Sequence, residues 1–298
     1  MDNELILFDR LNVIKDTINK YGEENFYLSF SGGKDSTILH YLIDMALPNN
    51  RIPRVFSNTG IEYLKIVEFV KSLAEKDDRI EIIQPSVNIK KMLEEKGYPF
   101  KSKDHSSKLS MFQQNKEGRK KYIKRYLDGI NSDGTPTKFA CPTLLKYQFT
   151  EDFKLKVSDR CCFELKKKPS HKWAKENKKT ITITGMRSEE GGQRTHLPCF
   201  SKITMKFNPL VKVSEDWEDW FIDKYQIRLC DLYYPPFNFK RTGCKGCPYS
   251  LSLSQDLETM RILLPNERKQ CEVIWKPVYE EYRRIGYRLK NEEQTRLF

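Results

Sequence analysis

The run YLSFSGGKDSTILHYLI, residues 27–43, constrains the fold more than any other stretch of this chain. An apolar, strand-like segment breaks at Ser31-Gly32-Gly33-Lys34-Asp35-Ser36 and becomes apolar again at helical spacing. A strand that ends in small residues and hands over to a helix is a geometry that binds phosphate. Its glycines let the backbone approach an oxyanion, and the first N–H groups of the helix point outward at the positive end of the dipole. Ser31, Ser36 and Thr37 add hydroxyls, and Lys34 adds charge. The spacing is neither that of Walker A, with four residues between its first glycine and Gly-Lys-Ser/Thr, nor G-x-G-x-x-G. Taken alone, the loop also fits a plain helix cap after a tight turn.

The flanking pattern gives the loop its setting. Apolar spacing predicts helices over 4–20, 36–47 and 61–76, and strands at NFYLSFS (25–31), RVFSN (54–58) and IEIIQ (80–84). This alternation predicts an α/β fold, a parallel sheet flanked by helices. From about 99 to 135 the pattern dissolves into lysines and turn formers, which predicts a basic surface insertion. There Arg119, Lys120, Lys121, Lys124 and Arg125 interleave with Tyr122 and Tyr126, compatible with a solvated face or a nucleic-acid patch. A strand at 180–185, a helix at 214–227 and helical stretches at about 254–264 and 267–284 complete the reading.

The 53 Lys+Arg against 41 Asp+Glu leave +12, a field that attracts nucleotides, nucleic acid or an anionic surface. No run approaches the roughly 18 apolar residues of a membrane span, and MDNELILFDRLN is acidic where a signal peptide is basic. A cytoplasmic protein without a membrane partner is expected. In that reducing compartment the eight cysteines read as metal ligands or redox groups rather than disulfides. Cys161-Cys162 and Cys244-x-x-Cys247 form two pairs, and four thiolates from two loops can hold a four-iron four-sulfur cluster or a tetrahedral zinc. Cys141 precedes Pro142 at an expected helix start, where the dipole favours a thiolate, and is a candidate persulfide carrier or nucleophile.

Ser31 to Ser36 resembles the pyrophosphate loop of the adenine nucleotide alpha hydrolase superfamily, and further segments resemble its phosphoadenylylsulfate (PAPS) reductase family. Asn58-Thr59-Gly60 is similar to that family's turn beside the nucleotide, and TGMRSEEGGQR to its strand-end Gly-x-Arg, here Gly185 and Arg187, followed by Arg194. FNPLVKVSEDWEDWFIDKYQI and then GCKGCPY resemble its Asn-Pro-Leu segment, Trp-containing helix and cysteine pair. The resemblance covers about 25–250, leaving 99–135 unmatched. It implies a Rossmann-like nucleotide-binding domain over 1–250 and a helical extension over 251–298. An adenine nucleotide would be held by Ser31, Gly32, Gly33, Lys34, Asp35, Ser36, Thr37, Asn58, Thr59, Gly60, Gly185, Arg187 and Arg194, with Lys34 and Asp35 catalytic.

The Cys-Cys pair with a later C-x-x-C resembles the cluster-bearing adenylylsulfate reductases, implying a 4Fe-4S cluster at Cys161, Cys162, Cys244 and Cys247, with zinc as runner-up. Reductases of the family use a cysteine in a Glu-Cys-Gly-Leu-His segment, and this sequence has no cysteine after Cys271. One implied activity is therefore ATP- and Mg²⁺-dependent adenylylation followed by sulfur transfer, resembling tRNA thiolases and DNA phosphorothioation enzymes. Its partners would be DNA or tRNA and a sulfur-donor protein such as a cysteine desulfurase. Another is PAPS or adenylylsulfate reduction with an external thiol. A non-catalytic nucleotide- or nucleic-acid-binding module is the third.

Overall fold

The computed structural model describes residues 2–190 and 194–290. The chain forms two compact units, Met1–Ser86 with Lys166–Gly243 and Val87–Leu165 with Cys244–Phe298, called here the sheet unit and the helical unit. In chain order the elements are α1 (Asn3–Tyr21), β1 (Phe26–Phe30), α2 (Lys34–Ala46), β2 (Arg54–Ser57), α3 (Leu64–Ala74) and β3 (Ile80–Ile83). The helical unit then contributes α4 (Ile89–Lys96), α5 (Lys103–Gln113) and α6 (Lys120–Asp128). The sheet unit resumes with α7 (Lys168–Glu176), β4 (Ile181–Ile183), β5 (Phe200–Ser201), β6 (Lys206–Phe207) and α8 (Glu215–Lys224). The helical unit closes with α9 (Leu253–Leu263), α10 (Pro265–Ile274) and α11 (Lys276–Arg284).

The six strands lie in the order β3-β2-β1-β4-β6-β5. Every pair is parallel except β5 with β6. β1 is buried at four of its five positions, as a central strand covered on both faces must be. From β1 the chain steps outward to β2 and β3, and β4 then returns on β1's other side. The strand order thus reverses between β1 and β4, and the crevice beyond the carboxyl ends at such a reversal is where α/β sheets bind ligands.

α3 begins at Leu64 rather than 61, because the Glu62 carboxylate accepts from the Thr59 backbone N–H (2.8 Å) and holds a turn there. The single helix expected over 267–284 is two, α10 and α11. Pro277 lacks the N–H that would continue the ladder, and the break falls at Trp275. The 99–135 stretch carries α5 and α6, whose inner faces bury His105, Ser106, Lys108 and Leu109, and Ile123 and Tyr126. Polar residues on that inner face hid its period. Among the described residues no helix is long and apolar enough to cross a membrane.

Candidate functional site

β1 delivers its loop at the strand-order reversal. Gly32 has φ +69°, and a Cβ there would stand 2.8 Å from Cγ2 of Val70 on α3, so the position requires glycine on two counts. The Ser31 and Ser36 hydroxyls are 2.9 Å apart, and the Gly33 N–H donates to Ser31 Oγ (3.3 Å). Ser36 and Thr37 hydroxyls each donate to the Gly33 carbonyl at 3.0 Å. The Lys34 N–H, first of α2, donates to the Tyr233 hydroxyl (2.9 Å), itself 2.7 Å from Thr242 Oγ1. The result is a cup of N–H groups and hydroxyls at a helix N-terminus, whose hydroxyl partners a phosphate oxygen could replace.

Charge converges on the same cup. Lys34 Nζ lies 3.1 Å from Asp219, 3.3 Å from Glu215 and 3.7 Å from Glu218, all on α8. Burial works against this ammonium, but the three carboxylates outweigh it and hold its pKa above the ordinary lysine value. Gly185, just beyond β4, packs on the first turn of α2: a Cβ there would lie 2.8 Å from Asp35 Cβ. Two residues on, the buried Arg187 places Nε 3.5 Å from Asp35 Oδ1 and 3.4 Å from Glu218 Oε1, and Nη1 3.2 Å from Glu189. Arg194 lies in the field of Asp35, and burial together with Arg241 lowers its pKa.

Glu218 stands out chemically. Its side chain is fully buried, yet neither carboxylate oxygen has a hydrogen-bond partner, nor has Arg187 Nε. Its nearest cations stand off at 3.4 and 3.7 Å. Burial, then the charge of Asp35, push its pKa up to about 8, with Arg187 and Lys34 opposing. Sequence reasoning missed this residue. The available signal was the buried set Trp217, Glu218 and Phe221, whose helical spacing puts the glutamate on the inner face of α8.

The turn after β2 is built by its own residues. Asn58 Oδ1 accepts from the Gly60 N–H (3.1 Å), Gly60 has φ +79°, and the Thr59 hydroxyl donates to Glu62 (2.8 Å). Lys166 Nζ lies 3.2 Å from Glu62, which assigns one of the three lysines after the cysteine pair to this turn. Beside β4, the Thr184 hydroxyl donates to the buried Asn208 Oδ1 (2.6 Å), and Asn208 Nδ2 donates to Pro198 O (3.0 Å). The Asn-Pro-Leu segment thereby braces the edge from which Gly185 and Arg187 project.

The two cysteine pairs both belong to the helical unit. None of the four is in a disulfide; Cys161 is buried and the others are partly exposed. The Tyr249 hydroxyl donates to Ser158 O (3.4 Å) and feels the charge of both Cys162 and Cys247, so the two loops approach one tyrosine. Gly246, inside the C-x-x-C, has φ +60°, and a Cβ there would lie 2.8 Å from Cys271 Sγ. Trp275 Nε1 donates to Lys245 O (3.2 Å) and Tyr279 donates to Gly246 O, seating this knuckle on α10 and α11. As a donor set, four thiols can take an iron–sulfur cluster or zinc, although no three of these sulfurs stand within 4.8 Å of one another. Cys271 beneath them has its thiol pushed up to about 12 by burial, which keeps it protonated.

Cys141 lies in the helical unit, 4% exposed, with its N–H donating to Tyr126 O (2.7 Å). The chain continues as a 3-10 run, Thr143–Phe149, rather than an α-helix. Burial raises the thiol's pKa although the Tyr126 hydroxyl and Lys101 oppose it, the opposite direction from the dipole-favoured thiolate expected. In the sheet unit, His40, Asp44 and Asp77 are close enough to share a metal. Guanidiniums hold them instead: Arg54 is 2.7 Å from Asp44, and Arg79 is 2.8 Å from both Asp44 and Asp77. Arg54 Nε also donates to His40 Nδ1 (3.2 Å), and burial followed by that charge brings His40 down to about 4. The cluster is an ion-pair network with a neutral imidazole acceptor.

The family model for the phosphoadenosine phosphosulfate reductase domain matches residues 25–250. An uncharacterized protein of Methanocaldococcus jannaschii is 30% identical over 122 residues, which are 40% of this chain and 29% of that protein, so the match spans less than a third of that relative. Among solved structures, PAPS reductase from Candida auris in a phosphate complex is 15% identical with TM-score 0.44, over 82% of this chain and 96% of that one. NH3-dependent NAD synthetase from Campylobacter jejuni with nitrate is 14% identical with TM-score 0.40, over 93% and 95%. The U34-tRNA thiolase of Methanococcus maripaludis with its [4Fe-4S] cluster is 17% identical with TM-score 0.39, over 97% and 82%. Structural likenesses at these TM-scores lend no weight to a reading of activity.

Proposed function

Because this chain belongs to the phosphoadenosine phosphosulfate reductase domain family, we propose that its sheet unit binds ATP with Mg²⁺ and adenylylates an oxygen of a nucleic acid, which sulfur then replaces. One observation carries this reading: phosphate donors and carboxylates converge on the loop after β1, with Lys34 and Arg187 held by Asp35, Glu215, Glu218 and Asp219. A polyphosphate settling beside carboxylates brings a divalent cation that both can share, and Mg²⁺ on phosphates plus one or two carboxylates is its usual arrangement.

In this reading the α-phosphorus is the electrophile. The acceptor oxygen attacks it, the bond from α-phosphorus to the bridging oxygen breaks, and pyrophosphate leaves. The N–H groups opening α2, with Lys34 and Arg187, neutralise charge developing on that leaving group. A sulfur nucleophile then displaces the adenylylated oxygen, and AMP departs with it. Asn58, Thr59 and Gly60 would border the adenosine, and Arg194 would supply a further fork-shaped donor. A cluster on Cys161, Cys162, Cys244 and Cys247 would supply iron able to carry sulfide, with zinc as the alternative occupant. Cys141 would carry sulfur only if binding opened its buried site. A sulfur-donor protein such as a cysteine desulfurase completes the scheme.

The family match itself favours a second reading, reduction of PAPS or adenylylsulfate by an external thiol. Anaerobically purified protein, analysed for iron, sulfide and zinc and titrated with ATP and with PAPS, separates the two. ATP preference with nucleic-acid-dependent pyrophosphate release supports adenylylation; PAPS preference with sulfite release replaces it.

A further inference from the structure

The helical unit contains a groove of about 800 Å³ bounded by α5, α6 and the 150–157 segment. Its floor is apolar, with Met111, Phe112, Ile123, Leu127 and Phe153. Its rim carries Lys96, Lys116, Lys120, Lys124, Lys154 and Lys156 against the acids Asp128 and Glu151. We propose that this groove binds single-stranded nucleic acid, with bases against Phe112 and Phe153 and phosphates on the lysine rim.

Six cations over two carboxylates make the opening electropositive, and the lysines are not consumed by their present contacts. Lys120 pairs with Glu117 and Lys124 with Asp128, both at 2.6 Å but exposed, and such pairs yield readily to a phosphate. Lys154 and Lys156 donate to the backbone carbonyls of Glu151 and Glu95, which leaves their charge uncompensated. Flat aromatic faces beneath a cationic rim suit an unpaired base, because every base has a stackable face. A concavity of this volume takes a drug-sized group, one or two nucleotides, and not the width of a duplex. An acidic peptide would satisfy the lysines but has less use for the rings.

The aromatics that interleave with the basic residues in the sequence have other roles. Tyr126 is buried with its hydroxyl 2.8 Å from His105 Nδ1, and Lys108 lies 4.7 Å over the Tyr122 ring. The stacking faces come instead from Phe112, near the end of α5, and from Phe153, distant in sequence from the basic run.

This inference rests on the nucleic-acid acceptor reading for its biological meaning, but its test needs neither ATP nor turnover. Fluorescence anisotropy of labelled U12 and dT12 strands, and of a duplex of equal length, would be measured on the full chain at several salt concentrations. Phe153→Ala should weaken single-strand binding roughly tenfold. The exposed pair Lys154→Gln/Lys156→Gln should weaken it and make the log–log salt slope shallower by about 1.4, two phosphates at roughly 0.7 each. Both variants should stay folded, by circular dichroism, and keep the wild-type ATP affinity, which separates a failure here from a failure of the loop reading. The proposal is overturned if folded variants bind the strands as wild type does, if the duplex binds as well as the single strand, or if poly-glutamate of equal charge competes equally. The last result would assign the groove to an acidic protein partner.

Discussion

Glu218→Gln isolates the consequence of burying a carboxyl between Asp35, Arg187 and Lys34. Folding raises this group from its ordinary value of 4.5 to about 8. Between those values the folded protein keeps a proton that the unfolded chain has released. Unfolding then releases a proton, so the group's contribution to stability falls as pH rises through that window and levels off above it. At about 1.4 kcal/mol per pH unit, the window from 4.5 to about 8 sets a ceiling of roughly 5 kcal/mol. Glutamine keeps the shape and never ionises. At pH 5 the two proteins should have similar stability, and at pH 8.5 the variant should be more stable by at least about 2 kcal/mol, near 1 M in urea midpoint at an m-value of roughly 2. Urea denaturation of wild type and variant at pH 5, 6.5 and 8.5 checks this. Parallel stability–pH curves would refute the reasoning, because they would mean that Glu218 ionises in the folded protein as it does in the unfolded chain.

Arg187→Ala should weaken ATP binding by about ten- to a hundredfold, the value of one charged hydrogen-bonding group, measured by calorimetric titration; unchanged affinity would remove Arg187 from the site. Gly32→Ala forces a side chain into a φ of +69° and to 2.8 Å from Val70, and should cost at least about 1–2 kcal/mol in urea denaturation. Gly246→Ala places a methyl against Cys271 and Tyr279 and should lower iron or zinc content per chain, read by metal analysis, while leaving ATP affinity at the wild-type value. His40 should remain neutral in the folded protein until the pH approaches about 4, its ring resonances in an NMR titration shifting only there. Because the unfolded chain protonates near 6.5, the group's contribution to stability should fall as pH drops from 6.5 toward that value.

The strand–loop–helix around Ser31 to Thr37 was legible because its signals are local: apolar runs of period two and 3.6 meet at glycines that their backbone angles require. Arg187 was reachable only through the resemblance carried by its Gly-x-Arg segment, because two arginines near glycines read by themselves as an exposed loop. Glu218 was not, since an acid among Glu215, Asp216 and Asp219 reads as solvent-facing until the helix is docked and its inner face is known. The inner faces of α5 and α6 were hidden differently. His105 is buried because Tyr126 and Gln148 satisfy both ring nitrogens at 2.8 Å, a long-range arrangement that no local spacing announces. The groove shares this origin, its rings and lysines coming from segments separated along the chain.

The interleaving of the two units also orders events during synthesis. The chain enters the helical unit at Val87, leaves it after Leu165, builds the rest of the sheet unit, and returns at Cys244. At 5–20 residues per second, the roughly 80 residues between Cys162 and Cys244 take about 4–16 s to emerge. For that interval the first two thiols wait without their partners while the sheet unit acquires every strand it needs. Nascent chains halted after Gly243 would therefore carry the complete loop after β1 and only the first cysteine pair, so under the proposed metal reading, loading would follow completion of the sheet unit.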